Sequence, residues 1–192
     1  MQREKLIKIF SDIPTLKTER LTLRALRRTD SQDMHEYAAD PSVTEFLLWS
    51  PHTSLSYTWE YLKYVENRYA VGDFYDWAVI ESESGKMIGT CGFASIDTVN
   101  NSAQIGYVLN PAYHRQGIAV EAAKEVMRFG FDTLGLHRIE ARFMQGNDAS
   151  RKVMEKLGMT FEGFARDSMF VKGKYRTIGT CSITENDFRN KE

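Results

Sequence analysis

Leu21 and Leu23 alternate with polar neighbours in RLTLRAL, residues 20–26, and this period of two predicts a half-buried strand. Asp30 is placed to cap a short helix that ends before Pro41. Trp59, Leu62, Val65 and Tyr69 then recur every three or four residues, which predicts a helix over about 56–70 that Gly72 stops. From Phe74 the period returns to two. FYDWAVIE, KMIGTCGFASID and SAQIGYVLN read as three consecutive strands with hairpin connections, an antiparallel meander. A helical pattern covers 118–134, with Ala119, Ala122, Val126, Met127 and Phe129 as inner positions and Gly135 where a terminating glycine belongs. Residues 137–144 read as a strand, 147–157 as a helix stopped by Gly158, and 159–164 and 169–183 as two further strands. The order βαα, βββ, α, β, α, ββ predicts an α/β chain, a mixed sheet with helices on its faces.

Composition narrows the function. The chain has 192 residues, and 25 Lys plus Arg against 26 Asp plus Glu leave a net charge of −1. No Pro/Gly/Ser linker or repeat divides it, so one domain with a core over about 16–188 is expected. The balanced charge gives no electrostatic case for nucleic acid or an anionic membrane as partner. The longest apolar runs are four residues, 46–49 and 77–80, far short of the ~20 that a spanning helix needs. Cys91 and Cys181 lie in separate strand-like segments and form no CxxC pair. A cytoplasmic protein, monomer or homodimer, is the expectation.

Several chemistries are excluded by their motifs. No two of the 13 glycines are two apart, so GxGxxG cannot occur, and GxxxxGK[ST] is absent too. Histidines 35, 52, 114 and 137 cannot make HExxH, and no GxSxG elbow exists, so neither a metal site nor a serine hydrolase is expected. What remains is IGYVLNPAYHRQGIAVE, residues 105–121, where a strand passes through Asn110 and Pro111 into a polar loop that opens directly into a long helix. The first amides of a helix lack intrahelical acceptors and carry partial positive charge, so the junction suits a phosphate. Gly117 permits close approach, Arg115 adds permanent charge, and Ala119 keeps the first turn open. Spacing alone equally describes a glycine turn before an ordinary helix.

HRQGIA resembles the R/Q-x-x-G-x-G/A loop of the GCN5-related N-acetyltransferases (GNAT). LGLHRIEARFMQGNDASRKVMEKLGMTFEG and the early RLTLR resemble the RimJ/RimL branch, whose members acetylate N-terminal amines of ribosomal proteins or small amines. The resemblance implies the GNAT fold, a mostly antiparallel mixed sheet splayed at the cofactor site with helices on both faces. It also implies acetyl-CoA as cosubstrate and no metal. The cofactor would be held by backbone at Tyr107, Val108 and Leu109, by the loop and helix start at His114, Arg115, Gln116, Gly117, Ile118, Ala119 and Val120, and by Asn147. Early termination of strand pairing at Pro111 would open the splay. Ser150, three residues after Asn147, occupies the position of a hydroxyl that protonates the departing thiolate. Read without the resemblance, Asn147 is a helix N-cap and Ser150 a first-turn serine.

Two departures from the branch bear on mechanism. His114 stands where Gln or Arg is usual. Met169 and Gln104 stand where carboxylates are common, so the family base is missing twice. An ammonium must lose a proton before it attacks, so a base or a water chain to one is needed. Glu140, Asp97, Asp73 and Asp76 are the candidates. Cys91 between Gly89 and Gly92 reads as a buried hydrophobe rather than an acyl carrier. Ten of 23 aromatics fall within 46–77, which makes that region a candidate acceptor wall. Arg166, Lys172, Lys174 and Arg176 make a basic hairpin opposite. The expected activity is direct acetyl transfer to a primary amine, best a protein N-terminal α-amine. The alternatives are a small-molecule amine acetyltransferase and an acyl-CoA-binding regulator with weak turnover.

Overall fold

The computed structural model describes residues 3–191. The elements in chain order are α1 (Arg3–Ser11), β1 (Leu16–Lys17), β2 (Leu21–Arg24), α2 (Ser31–Ala38), α3 (Pro41–Thr44), α4 (Leu55–Ala70), β3 (Asp76–Glu81), β4 (Met87–Asp97), β5 (Ser102–Leu109), α5 (Ile118–Phe129), β6 (Arg138–Met144), α6 (Asp148–Lys156), β7 (Thr160–Val171), β8 (Lys174–Thr184) and α7 (Glu185–Arg189). The strands form one eight-stranded sheet in the order β1-β2-β3-β4-β5-β6-β8-β7. Every neighbouring pair is antiparallel except β5 with β6. That one parallel contact requires a crossover, and α5 supplies it.

Strand alternation distributes side chains to two cores. Trp77 and Val79 of β3, Cys91 and Phe93 of β4, Ile105 of β5 and Ile139 and Ala141 of β6 join α5, α1 and Met154 of α6 on one face. Ala78 and Ile80 of β3 join Met34, Tyr37 and Ala38 of α2 and Leu62, Val65 and Tyr69 of α4 on the other. Trp77 is fully buried, with its indole Nε1 donating to Pro14 O at 2.7 Å, and rings of Phe10, Phe93 and Phe129 stand edge-on around it. An aromatic side chain buried this completely is worth a few kcal/mol.

α4 shows how the local signals act. Ser54 Oγ accepts from Tyr57 N at 3.1 Å at its start, and the buried face is Thr58, Leu62, Val65 and Tyr69. Trp59, expected on that face, is instead 36% exposed and lies between Arg28 and Lys63. The inner line runs through the small Thr58 one position earlier, fully buried with its hydroxyl 2.9 Å from Nδ1 of His35 on α2 and of His52. Gly72 ends the segment at φ +70°, and a Cβ there would stand 2.4 Å from Ile7 O, so the glycine also admits α1.

Other expectations are corrected. Asp30 precedes α2 without capping it through its side chain; its carboxylate accepts from Arg24 Nη1 and Nη2 at 2.8 and 2.7 Å and from Arg27 N at 2.8 Å. The helical pattern at 118–134 is α-helical only to Phe129, and one wider π turn carries it on to Gly135 at φ +69°. The expected strand over 169–183 is two strands, because Lys172 and Gly173, both at positive φ, turn the chain between β7 and β8. α1 and α7 were not predicted, each being a short helix with only one or two buried apolar side chains.

Candidate active site

β5 and β6 pair only over Ser102–Arg138 to Ile105–Ala141. Beyond Ile105, β5 keeps its β4 partners as far as Leu109, and β6 keeps its β8 partners as far as Met144. The two strands therefore part, and a gap opens between Gly106–Leu109 and Arg142–Met144. The β4–β5 register shifts between Phe93 and Ser95, beside Ile105, so a bulge re-aims β5 where the parting begins. Pairing with β6 has already ended at Ile105, six residues before Pro111, which only starts the following 3₁₀ turn.

The unpaired edge of β5 offers backbone to the gap. Asn110 N donates to Ile88 O at 2.8 Å, so by alternation Val108 also points its amide at β4 while Tyr107 and Leu109 point theirs into the gap. Val108 therefore reaches the gap with neither its amide nor its side chain, which packs toward the α2/α4 core.

The gap leads to the start of α5. Arg115 and Gly117 both adopt left-handed backbone, at φ +63° and +79°, and Gly117 is the N-cap residue. A Cβ built on Gly117 meets only Arg20 Nη2, at 3.7 Å, so the space over the helix start is open. Ile118 is buried beneath it, and Ala119 and Val120 are half-buried. Arg115 is exposed and makes no hydrogen bond or ion pair among the described residues. His114 and Gln116 are exposed but occupied: Nε2 of His114 lies 3.0 Å from Leu109 O, and Nε2 of Gln116 donates to Ala112 O at 3.2 Å. Both side chains shape the loop, and of the three polar side chains expected at a phosphate only Arg115 is free. Lys152 and Lys156 project from α6 into solvent.

Sequence reasoning missed the clamp that fixes this helix start. Glu121 Oε1 accepts from Thr18 Oγ1 at 2.5 Å and from Arg20 N at 3.0 Å, while Arg20 Nε donates to Glu121 Oε2 at 2.7 Å. Arg20 Nη1 also donates to Gln116 O at 3.1 Å. Burial opposes the Glu121 charge, but these donors outweigh it and hold the carboxyl below its ordinary range. The signal was present in the RLTLR and VEA motifs, which are far apart in sequence.

Across the gap, Asn147 caps α6 by accepting from Ser150 N at 3.1 Å with its Oδ1. Ser150 Oγ lies 3.0 Å from Tyr107 Oη, which is also 3.0 Å from Ser150 O. Burial raises the Tyr107 phenol, partly offset by the Ser150 contact, so Tyr107 stays protonated. Tyr107 was expected to act through its backbone; its hydroxyl proves to be the partner of Ser150.

The opposite, α2/α4 face carries the aromatic-rich region. His52 is buried, with Trp49, Tyr57 and Tyr61 rings 5.0–5.6 Å away. Nδ1 of His52 and Nδ1 of His35 each lie 2.9 Å from Thr58 Oγ1. Burial, with His35 nearby, lowers His52, which keeps it neutral. Met169 packs with Phe46, Met144, Val171 and Ile178, an apolar cluster with no place for a base. Of the candidate carboxylates, Glu140 is ion-paired to Arg142 at 2.8 Å and Arg138 at 3.6 Å, and Asp73 to Arg68. Asp97 accepts from Val99 N and Asn100 N in the β4–β5 turn. Asp76 has no cationic partner among the described residues; burial raises it to about 7 against hydrogen bonds from Thr90 and the Trp77 backbone. No group of metal-ligating side chains occurs among the described residues, and no helix among them is long and apolar enough to cross a membrane.

A mixed sheet that splits beside a left-handed glycine at a helix start, with a hydroxyl pair on one wall, is the architecture of a CoA-dependent acyltransferase. Residues 20–160 match the family described as Acetyltransferase (GNAT) domain. The uncharacterized N-acetyltransferase p20 of Bacillus licheniformis is 33% identical over 174 residues, covering 91% of this chain and 98% of that protein. The spermidine N(1)-acetyltransferase of Escherichia coli K12 is 25% identical, over 86% of this chain and 87% of that one. The fold is shared with RimL, the ribosomal L7/L12 α-N-protein acetyltransferase solved with coenzyme A, at a TM-score of 0.76 and 21% identity over 89% of this chain and 98% of that one. The chain belongs to the GNAT family and is an acetyl-CoA-dependent N-acetyltransferase with RimJ/RimL-like structural relatives.

Proposed function

We propose that the acceptor is a protein N-terminal α-amine. The observation that carries this reading is the charge of the β7–β8 hairpin: Arg166, Lys174 and Arg176 make no ion pair among the described residues, and Lys172 donates to Thr44 O. A polycationic amine approaching this end of the sheet meets like charge, whereas a peptide brings one ammonium and can bring acidic side chains. A polyamine acceptor is the second reading, and the likeness to a spermidine acetyltransferase supports it.

Acetyl-CoA fits the residues present. The open space over Gly117 and the first amides of α5 would take the pyrophosphate with Arg115 alongside, and the unpaired amides of Tyr107 and Leu109 would take the pantetheine arm and polarise the thioester oxygen. The neutral amine forms the new N–C bond, the C–S bond breaks, and Ser150 Oγ delivers a proton to sulfur. Tyr107 Oη, 3.0 Å away, passes a proton to Ser150 and regains one from solvent as the products leave.

Two measurements test the proposal. Acetyl-CoA at a hundredfold excess over Kd adds about 2.7 kcal/mol of stability, or roughly 5–11 °C in melting temperature for a chain of this length. In turnover assays, acidic peptides with free N-termini are expected to exceed spermidine in kcat/KM. Faster turnover of spermidine would replace this reading with the second.

A further inference from the structure

The register of the sheet puts three residues in one row. Asp76 of β3 stands opposite Gly92 of β4, and Gly92 opposite Gly106 of β5. Directly opposed residues share a face, here the α2/α4 face. Gly106 follows Ile105, the last residue paired to β6, so the row ends at the mouth of the gap.

Both glycines matter to the space along that row. A Cβ on Gly92 would fall 2.3 Å from Tyr75 O, 2.4 Å from Asp76 Cα and 2.5 Å from Asp76 Oδ1, so only glycine lets β4 approach β3 here, and the carboxylate sits against the bare backbone of Gly92. A Cβ on Gly106 would meet nothing within 4 Å, so the floor beyond is open. Neither Gly92 nor Gly106 carries a side chain, so nothing in the row stands between the carboxylate and the gap, and with adjacent strands about 4.8 Å apart water can bridge the spacing that separates Gly92 from Gly106.

We infer that Asp76 is the terminal proton acceptor for the acceptor amine, reached through one water held over Gly92 and Gly106. The inference rests on the acetyl-transfer reading of the gap and supplies the base that Met169 and Gln104 do not. The ammonium passes one proton through the water to the carboxylate; as the neutral amine forms the N–C bond and the C–S bond breaks, the nitrogen sheds its second proton through the same water to solvent. Sulfur takes its proton from Ser150, on the opposite face of the sheet, so the acid and the base never compete for one proton. Asp76 returns its proton to solvent after product leaves.

The surroundings suit the task. The groups that feel the Asp76 charge are Tyr37 of α2, Tyr61 and Tyr69 of α4 and Cys91 of β4, and none is a cation. Tyr69 Oη donates to the Asp76 backbone oxygen at 2.5 Å and so holds the strand end. Tyr37 Oη is buried on this face with no partner among the described residues, so a water there has a hydrogen bond to make. An acid titrating near neutrality accepts protons best near the operating pH.

The test is the pH dependence of kcat/KM for wild type, Asp76→Asn and Thr90→Val, on whichever amine wild type acetylates. Wild type is expected to show an inflection near pH 7 in addition to that of the amine. Asp76→Asn should lose the inflection and about 10²-fold in rate at pH 8, with the acetyl-CoA melting shift unchanged. Thr90→Val removes a hydrogen bond to the charged form and should move the inflection upward, which keeps the inference testable if the Asn variant folds poorly. An Asn variant within about twofold of wild type and with the same profile overturns it, as does an inflection that Thr90→Val leaves in place. A wild type that binds acetyl-CoA but acetylates neither peptides nor polyamines would overturn the acetyl-transfer reading instead.

Discussion

The two walls of the gap are made from different materials. On the α5 side the features are backbone: left-handed φ at Arg115 and Gly117, free amides on β5, and the first turn of a helix. On the α2/α4 side they are side chains from distant segments, with His52, Trp49 and Tyr61 from one stretch and Asp76 from the edge of β3. A backbone site fixes a ligand common to a whole superfamily and tolerates most side-chain changes. A side-chain site shifts with single substitutions, and on the proposed reading it is the part that would fix the acceptor. The contrast predicts that damage on the first wall abolishes binding, whereas damage on the second alters rate or pH dependence with the cosubstrate still bound.

The largest effect should come from Gly117→Val. The substitution places a branched side chain at φ +79°, a region costing ~1–2 kcal/mol for such a residue, and fills the space over the α5 amides. Loss of the acetyl-CoA melting shift is expected, and with it loss of turnover on every amine. A variant that folds and retains more than half the shift would show that the wall does not depend on backbone approach.

Legibility followed the same division. The strand of 105–109, the glycine, the helix start at Ile118 and the Asn147 cap were read correctly because each depends on neighbours within a few residues. The uses of His114 and Gln116 were not legible, since a polar side chain in a loop serves the loop's own carbonyls or a ligand equally well, and only the distances to Leu109 and Ala112 decide. The Tyr107–Ser150 contact joins residues 43 apart in sequence, and no local pattern encodes it. Asp76 was one of four carboxylates until the structure gave Arg68 to Asp73, Arg142 and Arg138 to Glu140, and backbone amides to Asp97. Trp59 was placed inward by a period that fits Thr58 as well, and the packing selected the smaller residue.

Ser150→Ala and Tyr107→Phe probe the hydroxyl pair that joins β5 to α6 on the α5 face. Ser150→Ala should lower kcat by about 10²-fold with the acetyl-CoA shift preserved, the low end for a general acid because a thiolate is a good leaving group. Tyr107→Phe keeps the ring packing and removes one hydrogen bond, so about tenfold is expected. On the proposed relay Tyr107 acts through Ser150, so the double variant should be no slower than Ser150→Ala alone, and a double variant with fully multiplied losses would show that the two hydroxyls act independently.

The smallest effect is on stability and has a definite sign. Burial raises Asp76 to about 7 from an ordinary 3.8, so the folded state holds this proton more tightly than the unfolded chain. Stability therefore falls as pH rises from about 4 to about 7 and stays low above that, the reverse of a salt-bridged carboxylate. Three units at 1.36 kcal/mol each give an upper bound of ~4 kcal/mol for the burial cost of the charge. Asp76→Asn removes that cost but loses part of the hydrogen bonding to Thr90, so a net gain of about 1 kcal/mol, or 2–4 °C, is expected at pH 8. At about pH 2.5, well below 3.8, the aspartate is neutral in both states, and the two proteins should melt within a degree of each other after correction for the amide. A gain in melting temperature at pH 8 that accompanies the loss of rate would identify Asp76 as a group held at a cost for its chemistry. An Asn variant less stable than wild type at pH 8 would make the carboxylate a structural anchor of the β3 end, and would leave the acceptor wall without a group whose function opposes its folding.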